Sequence, residues 1–522
     1  MKNNPPVLYI NAKVWQPDGS FSDCFGVSNG HFDFVGSNLQ ADTLKKNYTE
    51  IIDLNGRLVL PGLTDGHLHL VNGALSLREL DCTGIGSISA LQSEVKSYVS
   101  DKNPKWVTGG NMDIGKIFGD TSLHTGNFAD NILSDKPLFI NNYDHHSAIC
   151  NSEVIKLAGL SSRINEFKPG EIELDINGNP TGLIREAALT AVYEVMPELS
   201  LNEKVSALSD CISGMHRKGI TSVSDITLPH ELEIYNELYQ SQKLNLRINS
   251  YLPFTEFDNI QNHLESTKNI NKDYFTIKGF KAFWDGALGS DTALFSRNYK
   301  NRNNNGYKTE LVNSGKINEL AKRIDKAGYQ IIIHAIGDKA VSEVLDLYES
   351  LPNTKKLRHR IEHAQHIDPA DYERFGRLGV IASVQPVHLK YDARVVAEKL
   401  PDELVRNTHN YSKITESGGI LNFGTDFPIV GFDPFENIQL ASTRAADSGI
   451  FLPEFKIPVH ECIKAYTINN AYSNHNENFA GSISKGKVAD FIILNNDILI
   501  CDPEEIQYTA IDKAFLNGVI LY

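Results

Sequence analysis

Two histidines stand two residues apart in LTDGHLHL, at His67 and His69. Side chains two apart on a strand share a face, so both imidazoles can reach one ion. Taken alone, the pair reads equally well as polar residues at a strand end. Lys281 lies in KAFWDG, within a run apolar enough to be a buried strand, and Lys278 three residues earlier falls on the opposite face. A lysine turned into an apolar interior is costly unless it is paired, neutral or chemically altered. Beside divalent metal its ammonium would be repelled. A neutral amine can instead capture carbon dioxide and become a carbamate, an anion with two oxygens able to bridge two metals. The competing reading is a lysine facing solvent from a strand edge. Three further runs end in His334 (IIIHAIGD), His363 (RIEHAQHI) and Asp426 (NFGTDFPI). Each of these alone suits a hydrogen-bonded core position. Together the five runs end in two histidines, a precursor of a bridging anion, two more histidines and a carboxylate, which is what a two-metal hydrolytic site needs.

Such residues must be held by strands whose ends converge. Eight β-rich runs qualify: VLPG (59–62), ITSVSDI (220–226), LRINSYL (246–252), IKGFKAFWDG (277–286), YQIIIHAIGD (329–338), RHRIEHAQHI (358–367), VIASVQPVHL (380–389) and ILNFGTDFPI (420–429). Amphipathic segments such as 203–218 and 317–328 precede several of them. Strands alternating with helices predict an α/β fold, a distorted (β/α)8 barrel with reactive groups at the C-terminal strand ends. The gap after the first run is too long for a loop, so residues of about 75–205 form an inserted subdomain with its own strands, KWVTGGNMDI and PLFINNYDHH among them. The first 58 residues alternate short apolar stretches with Asn-Gly turns, and 470–522 has the same texture. We expect one small β-sandwich domain from both termini, with the barrel over 59–469.

The 522 residues carry 50 Lys and Arg against 65 Asp and Glu, a formal charge of -15, which repels phosphate backbones and anionic lipid. Nucleic acid and membrane are not expected partners, and no apolar run approaches the ~20 residues that span a bilayer. The opening MKNNPPVLYINAKV reads as a first strand rather than a secretory signal, so a cytoplasmic protein is expected. The six cysteines are scattered, with no CxxC pair, and read as buried reduced thiols.

LPGLTDGHLHL (60–70), DHHSAICNSEVIKLAGL (144–160), GNPTGLIREAAL (178–189), KAFWDGALGSDTA (281–293), IHAIGDKA (333–340), RIEHAQHI (360–367) and GSISKGKVADFIIL (481–494) occur in this order along the chain. In these motifs the sequence resembles the amidohydrolase superfamily, in particular the YtcJ-like branch of metal-dependent hydrolases that includes N-substituted formamide deformylases. The resemblance spans nearly the whole chain. It implies a metal-dependent hydrolase acting on a carbon–nitrogen bond other than a peptide bond, with a small-molecule substrate and two divalent ions. Zinc is favoured, with manganese, iron or cobalt also compatible.

Position by position, the resemblance makes His67, His69 and Asp426 ligands of the more buried ion and His334 and His363 ligands of the second, with the carbamate of Lys281 between them. A metal-bridging hydroxide would attack, and Asp426 would take its proton and pass it to the departing nitrogen. His146, in the Asp144-His145-His146 cluster, and Glu186, in TGLIREA, are candidate substrate contacts. Each also reads as an ordinary structural residue. Asp285 and Asp338 follow ligands in turn-rich sequence and suit loop and helix capping. Gly110-Asn111-Met112-Asp113 departs from the Gly-Trp-Asp of many relatives, which removes an aromatic from a candidate pocket wall. Relatives are often dimers, so a homodimer stays open. A mononuclear deaminase on this barrel needs a glutamate in a His-x-x-Glu arrangement, whereas His334 is followed by Ala335-Ile336-Gly337-Asp338. A lactone or ester hydrolase is a further alternative. A non-catalytic binding protein would be expected to have lost ligands, and none is missing.

Overall fold

Ile331, Ile332 and Ile333 have no side that faces water: all three are fully buried, as a parallel strand covered on both faces requires. The computed structural model describes residues 5–119, 126–142 and 146–522. The isoleucines belong to the fifth strand of an eight-stranded sheet whose members follow one another in chain order. The strands are Leu63–Leu68, Ile220–Ile226, Arg247–Pro253, Phe275–Phe283, Gln330–Ala335, Arg360–His363, Ile381–Val384 and Ile420–Phe423. Every neighbouring pair is parallel. Helices intervene as the alternation predicts; Lys316–Lys326 buries Ile317, Ala321 and Ile324 on one face, together with Asp325, whose carboxylate accepts from His359 and Asn353.

Backbone bonds just past the last strand close the sheet. Asp426 N–H donates to the His67 carbonyl at 2.7 Å, and His69 N–H donates to the Phe427 carbonyl at 2.8 Å. Gly424 makes this approach possible, since a Cβ there would stand 2.4 Å from the His67 nitrogen. At the same junction Asn470 Nδ2 donates to Thr64 O at 2.8 Å and to Phe423 O at 3.0 Å.

The first barrel strand is Leu63–Leu68, not the expected 59–62. Leu58–Pro61 instead pairs with Lys13–Trp15 and with Phe491–Leu494. Val59 is the reason: it packs between two sheets, against Tyr9, Phe25 and Phe491. One sheet holds His31–Gly36, Cys24–Ser28, Val7–Ile10 and Glu50–Asp53; the other holds Val519–Ile520, Ile511–Leu516, Phe491–Leu494, Leu58–Pro61, Lys13–Trp15 and Phe21–Ser22. Stacked aromatics fill the space between them, Tyr9 on Phe25 at 4.7 Å and Phe491 on Phe515 at 4.2 Å. Strands from both chain ends thus share one core. Strand pairing in this core runs through Pro61, and Asn470, on helix Ile468–Ser473, donates to a barrel strand.

Ala74–Ala207 forms a compact unit of its own, where an insertion over 75–205 was expected. Its six-stranded sheet includes Val107–Met112 and Leu138–Asn142, which lie parallel. Alternate residues face opposite sides, as the period of a strand requires. Leu138 and Ile140 pack with Leu91 and Val95, whereas Phe139 packs with Val154, Ala188 and Val192. Met112 is fully buried in the first of these cores, so this position is no pocket wall. Five of the six cysteines are buried and all are free thiols. Among the described residues, no helix is long and apolar enough to cross a membrane.

Candidate metal centre

His67 is the penultimate residue of the first strand, buried, with its Nε2 making no hydrogen bond and lying 3.4 Å from Asp426 Oδ1. His69, one residue past that strand, brings its Nε2 to 3.6 Å from the same oxygen. The His363 ring lies 5.0 Å from that of His67 and 4.5 Å from that of His334. Lys281, on the fourth strand, is 3% exposed, and its Nζ has no hydrogen-bond partner and sits 4.8 Å from the Phe283 ring. Lys278, on the other face, bonds Asn476 instead.

Two backbone irregularities aim these groups. His363 and Ala364 have φ of 72° and 43°, and Asp426 has φ of 62°, all in the left-handed region. The first breaks strand alternation, so Glu362 and His363, adjacent in sequence, both join the same buried cluster.

Hydrogen bonds behind the rings fix where each imidazole keeps its lone pair. His67 Nδ1–H donates to Glu362 Oε2, leaving Nε2 free. His363 Nδ1–H donates to Gln385 Oε1 at 2.8 Å, and the Gln385 amide nitrogen in turn donates to Ser383 O. His334 Nε2–H donates to Gly286 O at 3.1 Å, leaving Nδ1 as the ligand atom.

The charges are arranged to suit cations. Burial would raise the Glu362 carboxyl, but Arg360 and His67 hold it well below the usual carboxylate range. Burial acts likewise on Asp426 and is overcome by the imidazole of His67, with those of His363 and His388, so this carboxylate stays ionised. Burial pulls the Lys281 ammonium down to about 8, although Glu362 and Asp426 favour its charge. Burial, then the charge of Lys281, pushes His334 down to about 3, and burial with His67 pushes His69 down to about 4. His334 and His69 are thereby held neutral beside an ionised carboxylate, the state in which an imidazole binds metal, whereas at His67 the pull of burial and Lys281 is outweighed by Glu362 and Asp426, which raise it.

The donor set fits divalent ions. His67, His69 and Asp426 offer ligand atoms all within 4.8 Å of one another, and a ring nitrogen of His388 lies within the same distance of the ligand atoms of His363 and Asp426. His334 is outside both trios but in ring contact with His363. Imidazole with carboxylate is the ligand chemistry of zinc and its neighbours.

Glu362, Arg360, Gln385 and His388 escaped the sequence reading. The signal for the first two was present: Arg360 and Glu362 are charged residues two apart in an otherwise apolar run, so they share a face and pair. Asp285 accepts from the backbone N–H groups of Leu294, Ile336 and Gly337, and Asp338 from that of Ser296, so both hold loop backbone; the helix Asp338–Glu349 begins at Gly337 without a side-chain cap. In the unit Ala74–Ala207, His146 Nδ1 and Glu186 Oε1 lie 3.3 Å apart, both largely exposed. Glu186 has φ of 46° and ψ of -115°, a conformation L residues rarely adopt. Asp144 and His145 lie outside the described residues.

The amidohydrolase family model matches residues 50–522. The chain is 31% identical to the protein LONG AFTER FAR-RED 3 of Arabidopsis thaliana, over 94% of this chain and 87% of that one. It is 27% identical to the putative amidohydrolase YtcJ of Bacillus subtilis, over 97% of each. An uncharacterised metal-dependent hydrolase from Pyrococcus horikoshii has a similar structure, with TM-score 0.79, 25% identity and coverage of 96% of this chain and 99% of that one.

Proposed function

We propose, on the premise that this chain belongs to the amidohydrolase family, that it hydrolyses a carbon–nitrogen, amide-like bond of a small molecule with the help of two divalent ions. The observation that carries this reading is the convergence of His67, His69 and Asp426 on one point, together with a buried Lys281 amine that has no hydrogen-bond partner. His67, His69 and Asp426 would hold one ion and His334 and His363 the other. Such ions, zinc favoured, would acidify water and polarise a carbonyl.

The remaining work belongs to the protein. The uncharged Lys281 amine would add to the carbon of carbon dioxide and release a proton to solvent, and the resulting carbamate would offer anionic oxygens to the ions in place of a buried amine with no hydrogen-bond partner. Asp426, ionised, takes a proton from the attacking water and delivers it to the leaving nitrogen. Glu362, Gln385 and the Gly286 carbonyl hold three rings in the tautomers that ligation needs. His146 and Glu186, 3.3 Å apart and largely exposed within the unit Ala74–Ala207, are candidate substrate contacts. Esters and lactones present the same carbonyl and belong in the same screen.

The test is metal analysis of the purified protein joined to a hydrolysis screen over N-acyl amino acids, formamides, cyclic amides and small lactones. Bound metal and turnover that both vanish on chelation are expected. No transition metal after growth in supplemented medium, together with no turnover, would leave a non-catalytic binding protein as the better reading.

A further inference from the structure

The turn after the seventh strand brings a further buried histidine to the centre, and the chemistry above leaves it without a task. His388 is 9% exposed, and its ring lies nearly parallel to that of His363 at 6.4 Å. Its ligand atom lies within 4.8 Å of those of His363 and Asp426, and its Nε2 is buried without a hydrogen-bond partner.

The other ring nitrogen decides what that Nε2 offers. Nδ1 of His388 faces the amide nitrogen of Gln365 at 3.4 Å. An amide nitrogen only donates, so Nδ1 accepts and the ring proton belongs on Nε2. His67 and His363 are the reverse, each donating from Nδ1 to an oxygen and keeping a lone pair on Nε2. His388 therefore carries an N–H on its buried, unpartnered Nε2, where His67 and His363 keep a lone pair, in a ring with a nitrogen within 4.8 Å of the ligand atoms of His363 and Asp426. Buried donors without an acceptor are rare in native proteins, and a bound ligand is one way to supply the acceptor.

We propose that His388 is a catalytic residue whose Nε2–H binds the carbonyl oxygen of the substrate and stabilises it as it becomes anionic. This rests on the hydrolase reading given above. When water adds, a C–O bond forms, the π pair of the carbonyl moves onto its oxygen, and the proton of the water passes to Asp426. Collapse returns that pair, breaks the C–N bond, and lets the nitrogen take the proton from Asp426. The Nε2–H bond strengthens as the oxygen gains charge, so it favours the transition state over the bound substrate.

Two variants and a spectrum test the assignment. His388→Ala is expected to keep the metal content of the wild type while kcat falls about 100-fold, with KM little changed, on whichever N-alkylformamide or N-acyl amino acid the wild type hydrolyses. His388→Gln, whose amide N–H reaches a similar place, is expected to recover at least about tenfold of that loss. In metal-free wild type labelled with 15N-histidine, His388, assigned by comparison with His388→Gln, is expected as the Nε2–H tautomer, and His67 and His363 as Nδ1–H. Loss of an ion from His388→Ala would make His388 a ligand and overturn the proposal. Undiminished kcat would overturn it too, as would an Nδ1–H tautomer at His388. Should the metal-loaded wild type hydrolyse none of these compounds, the hydrolase reading falls, while the tautomer still decides whether a donor points into the centre.

Discussion

Glu362 lies 295 residues from His67 in sequence, yet its Oε2 accepts from the Nδ1 of that ring. Arg360 grips the same carboxylate on both oxygens, at 2.8 and 3.0 Å, and ties it to the first strand through the Gly66 carbonyl at 2.6 Å. All three side chains are buried. A guanidinium, a carboxylate and an imidazole in series hold the ring in one orientation and one tautomer.

Glu362→Gln keeps the shape and removes the charge. Metal affinity is expected to fall about 10- to 100-fold with the fold retained, as is usual when the group behind a ligand histidine is lost. Glu362→Ala leaves Arg360 buried without its partner and should cost about 3–5 kcal/mol. Metal titration and denaturant unfolding separate the two effects; unchanged affinity in Glu362→Gln would mean the carboxylate does not position His67.

Lys281→Ala is expected to abolish turnover and to lower the metal content to one ion or fewer. Two ions and full activity in that variant would remove the carbamate from the centre.

The buried amine also leaves a mark on the metal-free, carbon-dioxide-free protein. Burial lowers the folded-state pKa to about 8, against roughly 10.4 for an unfolded chain. Between these values the unfolded state binds more protons, so stability rises with pH across that window. Below about pH 8 the full penalty of burying the charge is present, of order 3 kcal/mol. Lys281→Met lacks it. The stability difference between wild type and Lys281→Met, followed by urea unfolding from pH 7 to 11, should shrink steadily as pH rises; a difference that does not depend on pH would mean the amine is not desolvated.

Asp426→Asn isolates the proton carrier. Asparagine tolerates the left-handed backbone at this position, where φ is 62°, so charge is what changes. Much of the metal should remain while hydrolysis is lost. Undiminished turnover would assign the base elsewhere.

His146→Ala and Glu186→Gln are expected to raise KM several-fold without altering metal content. Glu186→Gly should melt at or above the wild type, because glycine relieves a backbone that costs its present occupant of order 1 kcal/mol. Unchanged KM in both of the first two variants would make the pair structural.

The repeating alternation of the barrel was legible from buried apolar runs, and seven of the eight expected runs overlap barrel strands. The first was misplaced by a few residues because Val59 and Leu60 look more strand-like than the true barrel strand. That strand carries Asp65, Gly66 and His67 in its interior, with Asp65 satisfied by the His67 and Thr425 amides and the Thr425 hydroxyl. Nothing in a hydropathy pattern reports such bonds. Glu362 was missed because it adjoins a ligand on a strand, where alternation assigns neighbours to opposite faces; the left-handed turn at His363 and Ala364 cancels the rule. His388 was missed because it sits in the turn Pro386–His388 rather than at a strand end.

The bonds that close the barrel run through the same residues that converge on the candidate ions, Asp426 to His67 and His69 to Phe427. An ion held by His67, His69 and Asp426 would stitch the first stave of the cylinder to the last. A growing chain cannot make that stitch until the stretch around Asp426 has left the ribosome. Stripping the metal should therefore loosen the wall itself along one line and quicken amide exchange there first.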